Sequence, residues 1–163
     1  MLESILDVDE GSFRFVRRAV PVPADLRPTW RIALLLIIVA KTGFRGSVSL
    51  EKLHLLSWAA RTQAMRELFI RTLNGSTSNS QFPVRFDPAQ RRAINFARGE
   101  GLIVTTKNTQ GLKIALTEKG THYADLILKD KNVLVAEKDF LNAIGNRVTE
   151  KFVKDLIRWK DKP

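Results

Sequence analysis

The chain contains no cysteine, and its 163 residues include only two histidines, His54 and His122. No thiolate is therefore present to ligate zinc, hold an iron–sulfur cluster, act as a nucleophile or form a disulfide. Two histidines this far apart in sequence argue against a catalytic dyad or a histidine-rich metal site. Acids are also in short supply: 17 Asp and Glu against 27 Lys and Arg leave a net charge of +10. Such an excess favours a polyanionic partner, either nucleic acid or an acidic protein surface. Long apolar runs are missing as well. The most apolar segment, Ile32 to Ala40, is about half of the roughly 20 residues that a bilayer span requires, so it reads as a buried helix. Met1 to Glu10 carries four acids and no basic residue, so no secretory leader is expected. What remains is a basic, cytoplasmic globular protein, long enough to bury a core without a metal or disulfide staple.

Residues 1–28 read as an extended N-terminal arm. Phe13, Phe15 and Val16 stand beside Arg14, Arg17 and Arg18, and Pro21, Pro23 and Pro28 forbid a continuous helix. Phe13 and Phe15 are candidate partner contacts. Thr29 is placed to cap a helix from Trp30 to Lys41, apolar on nearly every side and stopped by Gly43 and Gly46. A helix without a polar face belongs at the centre of a small domain. Ser49 and Thr62 are placed to cap the next two helices, the second carrying a stripe of Met65, Leu68, Phe69, Thr72 and Leu73. Gly75 to Ser80 is a small polar loop.

The strongest local signal follows. Asp87-Pro88-Ala89-Gln90 supplies a capping residue, a proline for the first helical position and a glutamine that can close a capping box. That helix is expected to end near Arg98, at Gly99 and Gly101. Leu102–Thr106 and Leu112–Leu116 are β-rich and flank the loop 107–111, which predicts a hairpin. Thr117 then caps a helix toward Lys129, and two further helices, 133–144 and 150–160, close the chain, punctuated by Gly145 and capped by Thr149. The fold expected is mainly α with a small β-hairpin wing: a winged helix-turn-helix with extra helices. It divides into the arm, a winged-helix domain at 29–130 and a C-terminal helical extension at 131–163.

On the helix after Pro88, a spacing of about 100° per residue groups Ala89, Ala93, Phe96 and Ala97 toward the core. Arg91, Asn95 and Arg98 fall on the opposite side, with Arg92 at its edge. Arginine suits phosphates and guanine edges, and asparagine suits adenine edges. These four residues, with Lys107 and Lys113 on the hairpin, are the candidate nucleic-acid contacts; a plain solvated basic face explains the same pattern. On the last helix Lys151, Lys154, Arg158 and Lys162 recur every three or four residues, interrupted by Glu150, Asp155 and Asp161. Lys151, Lys154 and Arg158 are candidate partner contacts on an amphipathic, solvated helix. Those acids oppose docking on an anionic membrane. His54 reads as a core or interface histidine. No nucleophile elbow, P-loop or glycine-rich dinucleotide motif occurs, so neither a catalytic site nor a cofactor is expected.

With these segments placed, the sequence resembles the middle component of ABC-three-component systems, the anti-phage defence group that includes Lamassu. The residues that carry the resemblance are Arg27 to Leu36, the His54-Leu55-Leu56-Ser57-Trp58 segment within Leu50 to Ala59, and Val84 to Asn95 around Asp87-Pro88-Ala89. It continues through Gly99 to Ile103, Leu116-Thr117-Glu118-Lys119-Gly120 and Val148-Thr149-Glu150-Lys151, and so covers about residues 27–160. The resemblance implies a non-enzymatic winged-helix subunit between an SMC/Rad50-like ABC ATPase and an effector, often a nuclease, with double-stranded DNA as a further contact. A stand-alone winged-helix transcriptional regulator is the alternative. It requires a dimer reading two half-sites about one helical turn apart.

Overall fold

A computed structural model describes residues 23, 26–76, 87–109 and 111–158, with Arg158 represented by its backbone alone. The arm with Phe13 and Phe15, the stretch 77–86, and Trp159 and Lys162 lie outside the described residues. The chain is mostly helical, with one small antiparallel sheet.

Helix α1 (Pro28–Thr42) starts earlier than the sequence suggests. Arg27 holds the N-cap position without a side-chain cap, and Pro28 stands in the first turn, so Thr29 is not the cap. The proline ring sets the helical φ and its missing N–H needs no partner there. Every side chain from Leu34 to Val39 is 2% exposed or less, because α1 is surrounded by other helices. The turn after it is tight, and a Cβ on Gly43 would lie 2.4 Å from the Val39 carbonyl oxygen.

A short strand that sequence periodicity does not suggest comes next, β1 (Ser47–Ser49). Three residues are too few to show an alternation, and only its partner strand defines it. Its Val48 faces Ile114 across the sheet, both buried. The expected hairpin is present as β2 (Ile103–Asn108) and β3 (Gly111–Leu116), paired from Ile103–Leu116 out to Asn108–Gly111. Its connection is shorter than the 107–111 loop expected. The sheet order is β1-β3-β2, so the strand last in sequence lies in the middle.

Helix α2 (Leu50–Ala59) is capped by Ser49, whose Oγ accepts from Lys52 N at 3.1 Å. Helix α3 (Gln63–Leu73) is capped by Thr62, as expected. Helices α4 (Pro88–Gly99) and α5 (Glu118–Lys129) flank the hairpin, and Thr117 caps the latter. Gly120 is required by close approach: a Cβ there would lie 1.9 Å from the Leu102 carbonyl oxygen. Helix α6 (Val135–Ile144) and helix α7 (Glu150–Arg158) complete the chain, joined through a short 3-10 turn.

The last two helices share the core of the rest. Phe140, Leu141, Ile144, Val153 and Leu156 belong to the same buried cluster as α1 and α2. Phe69 of α3 meets Phe140 and Phe152 edge-on, with ring centroids 5.7 and 6.2 Å away. Edge-to-face pairs of this kind add about 1 kcal/mol beyond their buried area. The 131–158 segment is thus packed into the common core of the protein.

Candidate nucleic-acid interface

The orientation of α4 is set at its first residue. Asp87 Oδ1 accepts from Ala89 N at 2.9 Å, which satisfies one of the free donors of the helix start. Its other oxygen receives Arg31 of α1 at 2.7 Å and Arg61 of the α2–α3 turn. One carboxylate therefore ties α4 to two other parts of the fold. The second half of the predicted capping box takes another form: Gln90 turns inward and is buried. Arg31 itself is only 4% exposed. A charge within an otherwise apolar helix demands a buried counterion. That demand is visible in the sequence, but its partner Asp87 is not.

Along α4 the buried stripe is Gln90, Ala93, Ile94 and Ala97. This corrects one expectation. Phe96 does not face the core but is 59% exposed, whereas Ile94 is 6% exposed. The stripe of Gln90, Ala93, Ile94 and Ala97 is centred about 110° from Phe96 by helical spacing, too far round for Phe96 to be buried with Ile94. Phe96 instead joins Tyr123, Ile32 and Leu36 at an apolar hollow of about 290 Å³ between α4, α5 and α1.

The candidate contacts on α4 are all exposed: Arg91, Arg92, Asn95 and Arg98. No acid interrupts them between Pro88 and Gly99. Arg98 sits in the last turn, where a cation complements the helix dipole. Arg91 and Asn95 also border a recess of about 460 Å³, closed by Leu50 and His54 of α2 and Leu112 of β3. Sequence reasoning misses this recess because three separate elements build it.

The hairpin lysines part company. Lys107 pairs directly with Leu112, so the two side chains share one face of the sheet. Lys113 is the next residue and occupies the other face. It borders a narrow cleft with Lys154, Glu51 and Glu150, and Leu112 borders both this cleft and the recess. Lys151 and Lys154 of α7 are exposed, and the interrupting Glu150 tethers its helix to the sheet, since its Oε1 accepts from Ser49 N at 3.2 Å. The six nucleic-acid candidates therefore divide. Arg91 and Asn95 border the recess, Lys107 lies opposite Leu112 in the hairpin, Arg92 and Arg98 extend the outer face of α4, and Lys113 borders the cleft beside α7.

Two buried bases lie behind these surfaces. His54, 8% exposed, has its pKa lowered mainly by burial, with Glu51 pulling the other way. Lys52 is lowered from 10.5 by burial too, opposed by Glu150. Its Nζ donates to the Thr42 carbonyl at 2.7 Å and so closes the C-terminus of α1.

Compared with known protein families, with curated proteins and with solved structures, the chain matches none. Among the described residues no helix is long and apolar enough to cross a membrane.

Proposed function

We propose that the chain is a non-catalytic winged-helix subunit that contacts duplex DNA through α4 and the Lys107 side of the hairpin. In this reading it serves as an adaptor in an anti-phage defence complex, between an SMC/Rad50-like ABC ATPase and an effector. The observation that carries the DNA part is the outward face of α4, with three arginines, an asparagine and no acid. Arginine forks fit phosphate and guanine, and the asparagine amide fits adenine.

The winged-helix part rests on chain order. Helix, strand, helix, helix and hairpin follow one another with the sheet ordered β1-β3-β2, and α3 is an insertion within that plan. The adaptor part rests on the sequence resemblance and on exposed apolar side chains clustered on α4 and α5, namely Phe96, Tyr123 and Leu126. Phe96 and Tyr123 border one apolar hollow, and adjoining exposed apolar groups suit a protein contact.

The test is duplex binding as a function of salt. Arg91, Arg92, Arg98 and Lys107 contacting ~4 phosphates give a log–log slope of about −3.6. Equal weakening of all duplexes by Arg91→Ala indicates backbone contact, which suits an adaptor. Loss confined to one operator indicates the regulator instead. No binding at low salt removes the DNA part, and a pull-down recovering neither ATPase nor effector removes the adaptor part.

A further inference from the structure

We propose that the recess between α2, α4 and the hairpin binds a free purine nucleotide. Its volume of about 460 Å³ falls within the roughly 300–1,000 Å³ typical of small-ligand sites. Leu50, Ile94 and Leu112 form apolar walls. A hollow of this size with apolar walls suits a planar ring.

The polar groups are few and converge. Asn95 borders the recess with an amide that both donates and accepts, the pair that matches the N6/N7 edge of adenine. Arg91 is exposed and borders the recess, where its planar fork suits a phosphate. The Asp87 carboxylate also borders the recess but is already held by Arg31 and Arg61, so it does not repel an anion as a lone carboxylate would. His54 lies on the wall with burial favouring its neutral form, which adds a flat aromatic surface in place of another charge. A bicyclic purine covers more of these apolar walls than a pyrimidine, and apolar burial scales with the area covered.

The experiment titrates the purified full chain, with no DNA present, with AMP, adenosine, CMP and inorganic phosphate in parallel, following backbone amide signals by NMR. AMP is expected to give saturable shifts at Leu50, His54, Ile94 and Asn95. CMP and adenosine bind about tenfold more weakly, and phosphate leaves the apolar walls unshifted. Asn95→Ala weakens AMP about tenfold, in line with loss of one two-point base contact. Arg91→Ala abolishes the advantage of AMP over adenosine. Both positions are exposed, so the variants retain the fold. The proposal is overturned if AMP causes no saturable shift at millimolar concentration, if CMP matches AMP, or if phosphate alone reproduces the shifts. Because DNA is absent, the result is independent of the duplex reading above.

Discussion

Helices α4 and α7 look alike as sequences, each amphipathic and each rich in basic residues, yet the fold uses them differently. The cations of α4 are uninterrupted by acids, and its N-terminus is locked by a carboxylate shared with Arg31 and Arg61. The cations of α7 alternate with acids, one of which bonds the backbone of β1. Its cap is a single hydroxyl, Thr149 accepting from Phe152 N at 3.1 Å. Two helices of similar composition thus differ in what their charges are free to do. The outward charges of α4 are surplus to the fold, while part of the charge on α7 holds the fold together.

That contrast can be broken in four ways. The largest effect is expected at the caps. Asp87→Ala leaves two guanidinium groups without their shared carboxylate and removes a cap, costing about 4 kcal/mol. Thr149→Ala removes a cap alone and costs about 1 kcal/mol. Urea denaturation measures both, and equal losses would show that the ion cluster contributes nothing beyond capping. Asp87→Asn keeps the cap and falls between them.

Next comes the rotation of α4. Ile94→Ala is expected to cost about 3 kcal/mol as a core truncation, and Phe96→Ala less than about 1 kcal/mol. A reversed order would place Phe96 in the core after all. Third, removing Arg91, Arg92 and Arg98 together is expected to lower duplex affinity about a hundredfold and to shallow the salt slope by about 2.7. Lys151→Ala with Lys154→Ala is expected to change affinity less than about threefold. A larger loss from the α7 pair would move the interface to the other side of the sheet.

The smallest effect is the pH dependence from His54. Burial lowers its pKa below the ordinary 6.5, so the unfolded chain binds more protons in that window. Stability therefore rises with pH there and falls as pH drops through about 6.5. His54→Gln is expected to flatten that part of the stability–pH profile, measured by denaturation from about pH 7.5 to about pH 5.5. An unchanged slope would assign the pH dependence to other groups.

Local chemistry makes most of the helices legible. Ser49, Thr62, Asp87, Thr117 and Thr149 each accept the backbone bond that their position in the sequence announces. The all-apolar character of 32–40 places α1 at the centre, since no side of it tolerates water. The hairpin is readable from two β-rich runs around a turn. Strand β1 is not, because three residues carry no period and its partner lies more than sixty residues away. Phe96 escapes sequence reasoning for a related reason. Two apolar faces are compatible with α4, and α1 and the hairpin decide between them.

What the amino-acid sequence determined by itself is the set of helices with their caps, the hairpin, the basic excess and the acid-free outer face of α4. These are local properties, set by hydrogen bonds and periodicities within a few residues. The tertiary structure alone decided that Arg31, Arg61 and Asp87 form one cluster, that Lys107 and Lys113 part to opposite faces, and that His54, Asn95 and Leu112 border one recess. Each of these depends on segments far apart in the chain meeting in space, and that meeting is settled by how the apolar surfaces pack together.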